Sequence, residues 1–387
     1  MAKRILGIAA VGVGGAVGTT MAAGIELIKR GLAGTEGLPL AGAHGLAEYT
    51  DIAIAGWDLN GADLASAAEG HEVLSYKQHA AVAEELAKIT PWPAAGSERF
   101  VSLIRGDNTL KDTSHRDTIA KLRADLAEFK TRCHSVVVIN LASTEKAVPG
   151  DIEAFKTLPG LEHAIESNSP DIAPSMLYAY AAIAEGVPYG NFTPSAGADI
   201  PALIEFANNQ GVPIAGKDGK TGQTFIKTVL APALAARALH VDGWYSTNLL
   251  GNRDGLALSN EDSLASKVKT KASVLDEMLG YEVEDHIIDI RYYRPRGDDK
   301  EAWDNIDIRG FLGQSMQIKV NFLCKDSILA APLAIEVARC LDLAAERGES
   351  GIIEELGAFF KMPMSRSGRP EHAFHRQHAA LRAWLDK

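Results

Sequence analysis

The sequence predicts an α/β protein, a Rossmann-type and mostly parallel sheet interrupted by an α+β domain. Three observations predict it. Short apolar runs alternate with amphipathic helical stretches over the first 239 residues, the order expected of parallel strands joined by crossover helices. The first run ends in a glycine-rich turn and passes straight into helical periodicity. From about His240 the texture shifts toward two-residue alternation, until a long Ala/Leu-rich helix begins near Asp326. A length of 387 residues, two to three typical domains, with 46% hydrophobic and 23% charged residues, provides an ample soluble core.

In chain order, residues 5–11 form a strand that glycines stop, and 19–30 carry the first helical pattern. Strands follow at 51–57 and at 135–141 (SVVVINL), with helices near 62–68, 80–89 and 117–129 between them. The alternation continues through helices 174–184 and 201–208, strand 212–215 and helix 222–238. Beyond His240, residues 286–293 are rich in β-formers. Met316, Ile318, Val320 and Phe322 then fall on one face, opposite Gln317, Lys319 and Asn321, which suits a sheet with one covered face, often antiparallel. A helix over 326–347 returns to the character of the first half. The expected organisation is therefore 1–239 as a nucleotide-type domain, 240–325 as an insertion, and 326–387 as a return to the first domain.

Acidic residues outnumber Lys and Arg by 50 to 39, a net charge of −11, and no basic run is interleaved with aromatics, so nucleic acid is not an expected partner. Cys133, Cys324 and Cys340 form no CxxC pair, which fits a reducing, cytoplasmic setting. The opening MAKRILGIAAVGVGGAVG has the basic-then-apolar order of an export signal, but glycines break the run and a charged helix follows. No stretch approaches the length of a membrane-spanning segment, so no membrane association is expected.

Gly12, Gly14, Gly15 and Gly18 stand between the first strand and helix, where backbone N–H groups can approach a pyrophosphate at a helix N-terminus. A purely structural turn would use glycines too. The acid expected about 20 residues later for the ribose hydroxyls is best matched by Asp58, 40 residues after Gly18, with the segment 33–48 as an insertion. Asp58 could equally cap a helix. Lys267 and Lys271 share a helical face and would repel without an anion between them, although a solvated face explains them as well. Lys300 lies in GDDKEAWD. Lys361, between Phe359-Phe360 and Met362-Pro363-Met364, sits in apolar company that disfavours its ammonium form. The stretch GKDGKTGQT, residues 216–224, precedes a helix and suits a phosphate without being a Walker A loop. Asn252-Arg253-Asp254-Gly255 is a polar turn. His372, His375 and His378 read as an exposed helix face.

Together the segments GVGGAVGTT, AGWDLNGADL, NLASTE, VPYGNFTPS, GKDGKTGQTFIKTVLAP, NLLGNRDG, SKVKTKASVLDEM, GDDKEAWD, NFLCKDSILAAPL and FFKMPM resemble the myo-inositol-1-phosphate synthase family, also called inositol-3-phosphate synthase. The resemblance implies an isomerase that converts D-glucose 6-phosphate to 1D-myo-inositol 3-phosphate without net redox. C5 is oxidised by NAD, the C6 enolate closes on the C1 aldehyde, and C5 is reduced again. Carried over by motif, Gly12, Gly14, Gly15 and Gly18 cradle the NAD pyrophosphate, and Asp58 holds its ribose. Ser143, Thr144, Asp218 and Asp326 line the cofactor. Thr221, Gly222, Gln223 and Thr224 hold the substrate phosphate, and Asn252 and Asp254 meet sugar hydroxyls. Lys267, Lys271, Lys300 and Lys361 are the catalytic cations, Lys267 and Lys361 for proton transfer at O5.

The resemblance also makes 240–325 a catalytic and oligomerisation domain, hence a homotetramer, and brings a divalent or monovalent cation whose ligands no cluster in the sequence decides. Some relatives have asparagine at Arg253 and an acid at Lys325, so this chain adds positive charge there. A net dehydrogenase of a phosphorylated sugar or polyol, and a non-catalytic NAD-binding sensor, are the competing functions. A lysine acting as a Schiff base competes within the enzyme reading. Residues 259–273 are expected to order on binding phosphate.

Overall fold

The computed structural model describes residues 4–102, 105–111, 114–149, 151–251 and 274–387. Within them the first sheet has seven strands, ordered β11-β6-β5-β4-β1-β2-β3, and every pairing is parallel. Its centre is β1 (Leu6–Val11), buried at every position, flanked by β2 (Ile52–Asp58) and β4 (Ser135–Asn140). Continuous apolar strands of this kind belong in a parallel sheet with both faces covered. The short strands β3 (Trp92–Pro93), β5 (Tyr189–Asn191), β6 (Pro213–Gly216) and β11 (Gly351–Ile352) complete it. Strands of two or three residues carry no readable period, so β3, β5 and β11 escape a sequence reading.

Helices cover both faces. On one side α1 (Ala16–Lys29), α2 (Leu64–His71), α3 (Tyr76–Leu86), α9 (Asp326–Glu346) and α10 (Phe374–Leu385) share a core with Met21, Ile25, Leu341 and Trp384 at its heart. On the other, α4 (His115–Lys130), α5 (Leu158–Glu166), α6 (Pro174–Ala184) and α7 (Pro201–Gln210) bury Leu122, Leu126, Met176 and Leu203. The glycine-rich stretch between α1 and β2 packs back on α9. Leu40 N and the Tyr49 hydroxyl donate to Glu336, which is also ion-paired to Arg339 at 2.6 Å.

The second sheet, ordered β10-β9-β7-β8, uses β7 (His240–Leu250), β8 (Asp285–Tyr292), β9 (Asp299–Arg309) and β10 (Ser315–Lys325). It is mixed: β9 is antiparallel to β7 and β10, while β8 lies parallel to β7. One face packs Trp244, Ile306 and Ile308 against Ala231 and Leu234 of α8 (Gln223–Ala236). Ile318 of the alternating run pairs with Ile306 and joins that covered face. The opposite face leaves Trp303, Ile287 and Leu323 exposed. No helix is long and apolar enough to cross a membrane among the described residues.

At the tail, His375 and His378 fit the expected helix face, but His372 does not. It is buried, its Nε2 3.1 Å from the Glu277 carboxylate. The physical reason is that the helix starts only at Phe374, so His372 belongs to the approaching chain and the three-residue spacing does not place it on the helix surface.

Candidate active site

The first wall of the cleft is the turn between β1 and α1. Gly12 adopts φ +83°, and its N–H donates to the Trp57 carbonyl at 2.7 Å. Gly15 caps α1 without any side-chain hydrogen bond. A Cβ on Gly18 would stand 2.4 Å from the Val13 carbonyl oxygen, so α1 approaches the turn as closely as only glycine permits. Parallel pairing of Val11 with Trp57 brings Asp58 beside this turn despite the 31–48 excursion. The Asp58 carboxylate accepts from Gly14 N at 2.9 Å and from Asn60 N at 2.9 Å. Asp58 is not the cap of α2; Asp63 is, accepting from Ala65 N and Ser66 N at 3.0 Å each. A glycine turn too tight for side chains, an uncapped helix end and a carboxylate one strand away fit a dinucleotide. The His71 ring bonds the Gly14 carbonyl at 2.8 Å on the same wall, a contact that nothing in the sequence pattern announces.

The second wall is a short antiparallel ladder between residues 216–220 and 359–364. Lys361 N donates to the Asp218 carbonyl, Lys220 N to that of Phe359, and Lys217 and Met362 exchange backbone bonds. The ladder sets Lys361 Nζ 2.7 Å from Asp218 Oδ1, both side chains largely buried. The apolar neighbours of Lys361 therefore do not isolate it, because a carboxylate supplies its counter-charge. Behind the ladder, Lys220 reaches Gln377 of α10 and lies over the Phe374 ring; burial pushes its pKa down to about 7.

The third wall joins the two sheets. Lys300 of β9 and Thr221 both donate to Asp326 Oδ1, each at 3.3 Å. Asp326 opens α9, whose first turn Asp298 caps by accepting from Ser327 N and Oγ at 3.1 and 2.7 Å. Lys325 stands 3.4 Å from Asp299, so its extra charge is already balanced locally.

A single cleft of about 750 Å³ brings these walls together. It is lined by Gly12, Gly14, Gly15 and Asp58, by Ser143 and Thr144 of the loop after β4, and by Asp218, Thr221, Lys300, Asp326 and Lys361. Gly18 stands behind the turn. Gly222 caps α8, and the buried Gln223 turns to the second sheet, taking Asn248 Nδ2 at 2.5 Å and donating to Asp304 at 3.2 Å. Thr224 is buried as well. The Gln223 side-chain amide thus faces Asn248 and Asp304, while its backbone N–H opens α8. Asn252, Asp254, Lys267, Lys271 and the segment 259–273 lie outside the described residues, as does Arg253.

Two buried groups have no counterpart in the sequence reading. Lys227 Nζ is 2.6 Å from His286 Nε2, and burial lowers its pKa to about 8. Glu145, inside the NLASTE segment, lines the cleft and accepts from Ser175 N at 2.8 Å and Ser175 Oγ at 2.5 Å. Burial pushes the Glu145 carboxyl up to about 7, against the opposing pull of the Ser175 bonds. A carboxyl raised on folding stabilises the native state below its unfolded pKa, and that contribution is lost as pH rises through about 7. Urea unfolding of wild type is expected to lose on the order of 3 kcal/mol relative to Glu145→Gln between about pH 5 and about pH 8. Parallel stability curves for the two proteins would refute this.

A family model described as myo-inositol-1-phosphate synthase matches residues 36–386. Inositol-3-phosphate synthase 1 of Bacteroides thetaiotaomicron is 42% identical over 393 aligned residues, covering 95% of this chain and 91% of that protein. Inositol-3-phosphate synthase of Saccharomyces cerevisiae is 30% identical, covering 87% of this chain and 70% of its own length. The crystal structure of inositol-3-phosphate synthase from Caenorhabditis elegans superposes with a TM-score of 0.93 at 25% identity, over 99% of this chain and 85% of that one. With a Rossmann-type sheet, a glycine turn and paired lysines in one cleft, the chain belongs to the myo-inositol-1-phosphate synthase family.

Proposed function

We infer that this chain is an isomerase that converts D-glucose 6-phosphate to 1D-myo-inositol 3-phosphate, with NAD held in the cleft. The observation that carries the reading is convergence: Lys300 and Lys361, distant in sequence, meet the glycine turn and Asp58 in one cleft, each with a carboxylate partner. When bound, NAD would supply reversible hydride acceptance at C5, so that no net oxidation results. Gly12, Gly14, Gly15 and Gly18 admit its pyrophosphate, Asp58 holds its ribose, and Ser143, Thr144, Asp218 and Asp326 complete its surroundings.

Lys361, steadied by Asp218, is the group that holds and moves the proton at O5, together with Lys267. The same two lysines face oxygens that become anionic, the preorganised stabilisation that commonly dominates catalysis, while Lys300 and Lys271 add positive charge at the substrate phosphate. The substrate phosphate rests against Thr221 and the start of α8, and Asn252 and Asp254 meet the sugar hydroxyls. A homotetramer is proposed through the open face of the second sheet, where Trp303, Ile287 and Leu323 are exposed. A cytoplasmic setting suits the three unpaired cysteines. A divalent or monovalent cation is proposed as an auxiliary; activity after chelation, then with ammonium or magnesium restored, identifies which.

The test is incubation with glucose 6-phosphate and substoichiometric NAD, followed by phosphorus NMR. Inositol phosphate accumulating well beyond the NAD supplied is the expected result. NADH formed mole for mole with an oxidised sugar would make the protein a net dehydrogenase, and an absence of turnover with NAD bound would make it a sensor.

A further inference from the structure

Glu145 is a buried carboxylate on the cleft wall that the reaction described above does not use. Hydrogen bonds hold it in place. Both carboxylate oxygens accept from Ser175, one from the backbone N–H and one from the hydroxyl. The Ser175 hydroxyl oxygen accepts in turn from Gly197 N at 3.1 Å, and Glu145 N donates to Ser195 Oγ at 3.1 Å. Ser195 N reaches Thr193 Oγ1 at 3.2 Å, and the Thr193 carbonyl accepts from Asp218 N at 3.0 Å. Ser175 lies in the first turn of α6, whose own cap, Ala173, offers no side-chain acceptor. Glu145 therefore closes that helix end from a distant loop, supplying the acceptors that Ala173 lacks.

The loop it belongs to begins at Leu141, whose N–H is tied to Val11, and carries Ser143 and Thr144 immediately before Glu145. We propose that Glu145 is a positioning residue for the cofactor: clamped by Ser175 and Ser195, it sets Ser143 and Thr144 at the cleft and links them to the strand-end network that carries Asp218. The inference rests on the reading that NAD occupies this cleft.

Calorimetric titration with NAD tests it on the wild type and on Glu145→Ala, Ser175→Ala, the double variant and Glu145→Gln. Leu126→Ala, buried in α4, serves as a control for stability loss alone. Each alanine variant is expected to weaken NAD binding about ten-fold or more, the scale of a hydrogen bond to a charged group. The double variant should be no worse than the weaker-binding single. Glu145→Gln, which can still face both Ser175 groups, should recover most of the loss, and Leu126→Ala should bind NAD as wild type does. Wild-type affinity in Glu145→Ala and Ser175→Ala overturns the proposal, as does an equal loss in Leu126→Ala. A wild type that binds no NAD overturns the cofactor reading itself, and this inference with it.

Discussion

Replacing Lys361 by alanine is expected to lower turnover roughly 100-fold or more, the scale of losing one preorganised electrostatic donor. The effect should fall mainly on kcat, because Lys361 belongs to the ladder wall of the cleft and its removal leaves the glycine turn untouched. The substitution also strands Asp218, which is 4% exposed and bonded to Lys361 at 2.7 Å. An uncompensated buried carboxylate is costly. The variant should therefore melt earlier, and Lys361→Ala combined with Asp218→Asn should regain stability without regaining rate. Steady-state kinetics and thermal melts on the three proteins decide the matter. A single variant that keeps about a tenth of wild-type kcat, well above the loss expected for such a donor, would remove Lys361 from the proton-transfer role.

Gly18→Val is expected to abolish measurable NAD binding. Even the first added carbon would meet the Val13 carbonyl oxygen at 2.4 Å, with Val13 Cα and C at 2.8 Å, all backbone atoms that cannot rotate away. The helix must shift from the turn, which costs about 1–3 kcal/mol as an overpacked contact and misplaces the N–H groups that face the pyrophosphate. Gly24, in the same helix, has open space for 4 Å around the position a side-chain carbon would take, so Gly24→Ala should stabilise by up to about 1 kcal/mol. NAD titration and melting of the two variants form a matched pair. Retained binding in Gly18→Val would mean that the turn is structural only.

Gly18 and Lys361 also mark how far a sequence can be read. Gly18 is legible locally: a strand, a glycine turn and a helix in immediate succession leave few alternatives, because glycine spacing there answers to contacts only a few residues away. The longer elements are legible for the same reason, and Pro174–Ala184 agrees to the residue because a proline opens it and an apolar run defines it. The function is legible in the motifs that resemble one family, yet those motifs do not say what each side chain touches.

Lys361 and Asp218 illustrate the difference, being 143 residues apart and joined by a backbone ladder with no period of its own. Gln223 sits in a motif suited to phosphate but commits its amide to Asn248 and Asp304, a choice that depends on how α8 meets the second sheet. Glu145 is one acid among many until Ser175 arrives from another helix.

The sequence by itself determined the α/β class, the glycine turn and the family, since backbone sterics and hydrophobic periodicity act over short spans of chain. Only the tertiary structure decided which carboxylate faces which ammonium and which polar groups lie buried. Those pairings follow from strand register and helix packing, where residues distant along the chain compete for the same few hydrogen-bonding partners.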